Sequence, residues 1–168
     1  KNIPKNIKKT TQKSIFYIAE SNQRNLIAAG ASGVFIINTT NSEVLQYTDN
    51  FYQFTDAFYD SKKDCIWLLT SNRGIVRFDM HSKQYSAFPT VKDFVGNCMT
   101  PKNDSEIWIG GYHLCVFNKV NNEYKIIESA LNDEFAFKTP KIAKLHQDKE
   151  GNLWMSSHFG LAQLAWQN

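Results

Sequence analysis

The 168 residues are 42% hydrophobic, 21% charged and 14% aromatic, a composition that excludes a disordered or low-complexity chain and favours pleated, half-buried strands. Five lysines and no acid fall in residues 1–13, so the other 155 residues carry a net −2 of the total +3. A basic segment of this kind reads as a lysine-protected edge strand or tail rather than a nucleic-acid surface, and no arginine-rich patch or recognition-helix pattern accompanies it.

Residues 14–50 form the first expected unit. Strand-like runs lie at 15–19 and 43–47, around an apolar stretch from Asn25 to Ile37 that is interrupted by Ala31-Ser32-Gly33. The Gly30-Ala31-Ser32-Gly33 spacing falls where a hairpin loop is expected and reads as a turn. Residues 51–90 repeat the arrangement. A run at 55–59 leads through a polar turn to Cys65-Ile66-Trp67-Leu68-Leu69, then Ser71-Asn72-Arg73-Gly74, a second apolar run from Ile75, and a more polar one at 83–88. Residues 91–131 carry a third copy. It has runs at 95–99 and 123–128, Trp108 in the central strand, and Leu114 at the place expected for the restart glycine. Residues 132–168 carry the fourth, with a run at 142–146, Trp154, Gly160-Leu161, and no fourth strand before Asn168.

The central slots Ile27, Trp67, Trp108 and Trp154 recur at spacings of 40, 41 and 46 residues. A repeat of about 40 residues with four short strands is the signature of a radially stacked sheet array. The second and third strands are apolar at consecutive positions, as strands buried on both faces must be. The expected fold is therefore an all-β propeller region of four-stranded antiparallel blades. It has four units and forms a partial propeller or fragment, unless residues 3–11 supply the missing strand and close a small ring. Trp67, Trp108 and Trp154 are expected on second strands, buried between blades.

The string Asp148-x-x-Gly151-Asn152-Leu153-Trp154, followed by Gly160-Leu161, resembles the two-component regulator propeller repeat. The resemblance spans residues 14–168, departing from the pattern at Ile27 and Leu114. It implies the extracytoplasmic sensor region of a bacterial hybrid histidine kinase of the Bacteroidetes, periplasmic and anchored to the inner membrane through segments outside this chain. It also implies oligosaccharide-responsive signalling, with the remaining blades of the parent protein or a second copy as partners.

No catalytic signature or metal-ligand spacing is present in the sequence, and no cofactor is expected. The three cysteines, Cys65, Cys98 and Cys115, lie in apolar runs and read as small buried side chains. No apolar run reaches the length of a membrane span. Loops between second and third strands are expected on one rim, bringing together Asn72, Arg73, Tyr112, His113, His158 and Phe159, with Tyr52, Lys92 and Asp93 added by the connections between units. Aromatic faces beside polar donors suit a sugar. A protein-interaction or architectural role is the alternative, and a propeller lyase or hydrolase a more remote one.

Overall fold

The computed structural model describes residues 14–48, 53–88, 94–127 and 141–164. Fifteen strands and no helix are found among them. Sheet one contains β1 (Ile15–Glu20), β2 (Leu26–Gly30), β3 (Gly33–Ile37) and β4 (Val44–Thr48) in that spatial order. Sheet two contains β5 (Phe54–Asp60), β6 (Cys65–Thr70), β7 (Ile75–Asp79) and β8 (Tyr85–Phe88). Sheet three contains β9 (Gly96–Pro101), β10 (Glu106–Gly111), β11 (Leu114–Asn118) and β12 (Glu123–Ile127). Sheet four has β13 (Lys144–Gln147), β14 (Leu153–Ser157) and β15 (Gly160–Leu164). All pairings are antiparallel between chain neighbours. Residues 1–13, expected as an edge strand or tail, lie outside the described residues.

The turns explain why the chain folds back where it does. Asp148 accepts the Asn152 N–H at 2.8 Å on one carboxylate oxygen and the Trp154 Nε1–H at 2.8 Å on the other, while Gly151 takes φ +89°. An acceptor at the first position and a left-handed residue three later form the turn that the Asp-x-x-Gly-x-Leu-Trp pattern encodes. Sheet one keeps this turn without the pattern. Ser21 Oγ accepts the Asn25 N–H at 3.1 Å, and Arg24 stands at φ +59° in the glycine place. The third-to-fourth strand turns share another device. Asn38, Asp79 and Asn118 each accept two backbone N–H groups from the following turn, which ends on left-handed Ser42, Lys83 and Asn122.

The sheets stack face to face, which the consecutive apolar positions require. Ile66 and Leu68 of β6 pack with Ile27, Ala29, Val34 and Ile36 of sheet one. Trp67 and Leu69, on the opposite face of the same strand, pack with Ile107, Ile109 and Phe117 of sheet three. Trp108 then meets Leu153 and Met155 of sheet four. Each central slot therefore faces the following sheet, as Ile27, Trp67 and Trp108 demonstrate. Trp154 departs from the expectation because it is only half-buried. Its face is the one opposite Leu153 and Met155, and no core cluster forms there among the described residues. Burial of a residue in these sheets is set by the neighbouring sheet, not by its own strand.

A second correction concerns the third hairpin. Trp108 pairs with Val116, as Ile27 pairs with Ile36, Trp67 with Arg77 and Trp154 with Gln163. Counting back from those partners places His113, not Leu114, at the restart position of Gly33, Gly74 and Gly160. This hairpin is shorter than the others, so Leu114 already belongs to the buried strand. The inner strand of the fourth unit also begins later than expected. Ile142 precedes β13 and donates its N–H to the Gly111 carbonyl at 2.8 Å.

The inner strands are bolted to one another in sequence. β1, β5 and β9 each carry an extra residue, Phe16, Thr55 and Asn97, that interrupts pairing with the second strand. Just after the first two bulges, and at the third itself, a polar side chain reaches the next sheet. Tyr17 Oη accepts the Tyr59 N–H at 2.8 Å, and Asp56 Oδ2 accepts the Met99 N–H at 2.8 Å. Asn97 donates to the Ile142 and Ala143 carbonyls, each at 3.2 Å. Gly111 makes the third bulge possible, because a Cβ there would stand 1.6 Å from the Val95 carbonyl oxygen.

Candidate functional site

The candidate site is built from the three hairpin loops that join second to third strands. Ser71 of the β6–β7 loop accepts the Gly96 N–H at 3.0 Å, and Gly111 at the β10–β11 loop accepts that of Ile142. These bonds tie the loops of sheets two and three to the start of the next inner strand. They put the loops on the end of the stack where β9 and β13 begin. The β14–β15 loop occupies the corresponding place in sheet four.

Each loop is held from beneath while its tips face outwards. Thr70, fully buried, accepts the Arg73 N–H at 2.9 Å and donates to the Gly74 carbonyl at 2.8 Å. Asn72 and Arg73 are exposed above this clasp. Tyr112 and His113 are exposed at the next loop, with Tyr112 at 56%. His158 and Phe159 are exposed at the third, where Phe159 is 76% exposed and its N–H is accepted by Ser157 Oγ at 3.1 Å. Tyr52, Lys92 and Asp93 lie outside the described residues.

The six described candidates thus share one end of the stack, on successive hairpins. An exposed guanidinium, a phenol, two imidazoles and a phenyl ring offer donors and flat apolar faces, the two elements that a hydroxylated ring requires. A guanidinium also matches a carboxylate or sulfate through paired N–H donors. Large aromatic side chains left in water at a loop tip gain nothing for folding. Phe159 and Tyr112 therefore stand out from the buried aromatics of the stack.

Elsewhere the polar groups have structural employment. Burial pushes the Asp56 carboxyl above its ordinary range, against the opposing pull of the Met99 N–H and of Lys144. Lys119 and Asp60 form an ion pair at 3.1 Å with side chains only 3% and 11% exposed, tying the β11–β12 turn to sheet two. Cys65, Cys98 and Cys115 are free thiols, and burial raises them to about 11, about 12 and about 11. Among the described residues no group of three or more His, Cys, Asp or Glu side chains could hold a metal ion. No helix among them is long and apolar enough to cross a membrane.

No protein-family model matches the sequence, and no curated protein matches it. Solved structures do. The extracellular domain of BT4673 from B. thetaiotaomicron, described as a hybrid two component system, matches with a TM-score of 0.74 at 12% identity, over 92% of this chain and 22% of that one. PorZ, an essential bacterial surface component of the type-IX secretion system of Porphyromonas gingivalis, matches with a TM-score of 0.65 at 16% identity, over 89% of this chain and 24% of that one. The extracellular domain of BT3049 from B. thetaiotaomicron, also described as a hybrid two component system, matches at 0.52 and 13% identity, over 90% and 28%. The chain spans between 22% and 28% of the length of these structures. At such identities the likeness is one of fold.

Proposed function

We propose that this chain is an arc of a β-propeller from the extracytoplasmic, periplasmic sensor region of a bacterial two-component regulator, and that its hairpin rim takes part in binding an oligosaccharide. The observation that carries the reading is the placement of Arg73, Tyr112 and Phe159 on successive hairpins at one end of the stack, all exposed, with buried Thr70 holding the loop of Arg73. The likeness in fold to two extracellular domains described as parts of hybrid two component systems supports it. Arg73 is assigned the carboxylate or sulfate of an acidic sugar, and Tyr112 and Phe159 the C–H faces of its rings. Asn72, His113 and His158 supply hydroxyl contacts, and Tyr52, Lys92 and Asp93 belong to the same proposed rim. The role is binding rather than catalysis, without metal or cofactor.

Calorimetry against neutral and acidic oligosaccharides, repeated with Arg73→Ala and Tyr112→Ala, tests it. Saturable binding that either change weakens at least tenfold supports the rim. Binding that survives both places the site elsewhere.

A second reading has its own observation. The face of sheet four that bears half-buried Trp154 also bears Leu161, which is 68% exposed. An apolar sheet face of this kind suits a further blade or a second copy of the chain, and an architectural role for the segment. Sedimentation of the chain over a concentration series distinguishes the two. Self-association abolished by Leu161→Lys, with no oligosaccharide bound, favours architecture.

A further inference from the structure

The three rim hairpins differ in height, and the strand register shows by how much. Two residues towards the loops from Trp67, Trp108 and Trp154 lie the equivalent pairs Leu69–Ile75, Gly110–Leu114 and Ser156–Leu161. Beyond that level sheet two has five residues, 70–74, sheet three has three, 111–113, and sheet four has four, 157–160. The β10–β11 hairpin is therefore the lowest of the three, and it stands between the two taller ones.

The low hairpin is fixed where it lies. Gly111 donates its N–H to the His113 carbonyl at 3.1 Å, and its own carbonyl accepts the Ile142 N–H. Its close approach to the Val95 carbonyl holds the loop down against the residue before β9. Sheet one does not extend the opening. In its equivalent loop, 30–33, Ser32 is buried, and a Cβ on Gly33 would stand 2.1 Å from the Tyr47 carbonyl oxygen. Stacked sheets lie about 10 Å apart, so the gap between the taller hairpins is as wide as the sheet that falls short of filling it. That width admits one sugar chain and not two. Two residues in a hairpin are worth about 3 Å of height, so the wall towards sheet two rises by roughly the thickness of a sugar ring. Towards sheet four the step is smaller, and exposed Phe159 adds to it.

The charge of the loops selects the occupant. Together the three carry Arg73, His113 and His158 and no acidic residue, which complements an anionic chain. We propose that this notch binds a single unbranched acidic saccharide chain that crosses the rim along sheet three. One sugar unit lies over Tyr112, and its carboxylate or sulfate meets the guanidinium of Arg73. The notch deepens the rim reading, on which it rests, by fixing the direction of the ligand and its lack of branches. A branch on the bound unit meets the loop of Arg73 on one side or that of Phe159 on the other, so the two walls reject it.

The test uses the full chain, with unbranched oligouronates and unbranched sulfated oligosaccharides as probes. Each is compared with a form of the same backbone that bears a sugar branch on every unit. Calorimetry is expected to show saturable binding of an unbranched chain and affinity lower by about tenfold or more for its branched form. Asn-Gly inserted between Tyr112 and His113 raises the low hairpin to the height of its neighbour in sheet two, and that pair suits a hairpin tip. The insertion variant should unfold at the wild-type temperature and lose about tenfold or more in affinity. Equal binding of branched and unbranched chains by the wild type overturns the notch and leaves the rim reading standing. Full affinity in the insertion variant does the same, and the branched comparison decides alone if the insertion prevents folding. No binding of either probe class by the wild type overturns the notch and the rim reading together. A poly-glutamate peptide bound as tightly as the oligouronate overturns the assignment to a saccharide.

Discussion

Asp56 of sheet two and Met99 of sheet three are joined by a 2.8 Å bond from a backbone N–H to a buried carboxylate. A carboxylate at an inter-sheet contact trades desolvation against a charge-assisted bond. Burial dominates and raises its pKa. A raised folded-state value means that the native state holds the proton more firmly than the unfolded chain. The stability that Asp56 contributes is therefore fullest below the unfolded value of about 3.9 and is lost as pH rises through the folded one. Relative to Asp56→Asn, which carries no charge at any pH, the wild type should lose stability between about pH 4 and the raised value, then level off. Urea unfolding of both proteins across this range is the check. A difference that instead grows in favour of the wild type as pH rises would contradict the assignment.

The tryptophans should separate into two classes. Trp67→Ala and Trp108→Ala each remove a side chain at the centre of an inter-sheet core and should cost about 3–5 kcal/mol. Trp154→Ala removes a half-buried ring and its bond to Asp148, and should cost about 1 kcal/mol. Chemical denaturation of the three variants measures the contrast. Equal losses would mean that sheet four is covered on its outer face.

Lys119 and Asp60 should behave as a buried pair. Lys119→Met removes the ammonium that lies 6.0 Å from the Trp67 ring centre, leaves the Asp60 carboxylate without its cation and should cost about 3–5 kcal/mol. Lys119→Met combined with Asp60→Asn should recover much of that loss, since no buried charge is left unmatched. A double variant as unstable as the single one would show that the charge is not what matters.

The three thiols should be silent in the native protein. Their ionisation is pushed to about 11 or 12 by burial, and only the thiolate reacts at a useful rate. Iodoacetamide at pH 8 should label none of them within the time that labels a denatured sample completely. Rapid native labelling of Cys98 would mean that the contact between sheets three and four opens readily.

The stacking of the sheets was legible because it rests on consecutive apolar residues, as in Cys65–Thr70, and on the tryptophan slots. The partial exposure of Trp154 was not, because it depends on the neighbouring sheet. The inner-strand bolts were hidden for another reason. Tyr17, Asp56 and Asn97 do one job with three different side chains, so no repeated letter marks them. The turn at Ser21 escaped similarly, although Asn25-Leu26 repeats the Asn152-Leu153 of the clearest copy. The bonds from the Tyr85 and Tyr124 hydroxyls to the Tyr47 and Phe88 carbonyls of the preceding sheets were the missed signal that a sequence could have given. Tyr85 follows Phe78, and Tyr124 follows Phe117, by the same seven residues. For the rim, sequence spacing was enough to place Asn72, Arg73, Tyr112, His113, His158 and Phe159 on hairpins. Their common rim was an expectation from the repeat, and the Ser71–Gly96 and Gly111–Ile142 bonds add where the loops of sheets two and three sit, beside the start of the next inner strand.

The proposed binding role of the rim is tested most directly in solution. Amide and aromatic resonances of the isotope-labelled chain, followed by NMR during titration with acidic oligosaccharides, locate any contact residue by residue. Saturable shifts are expected at Asn72, Arg73, Tyr112, His113, His158 and Phe159 and in the loops that carry them, and nowhere else. Shifts centred on the opposite turns at Asn38, Asp79 and Asn118, or none at saturating ligand, would contradict it.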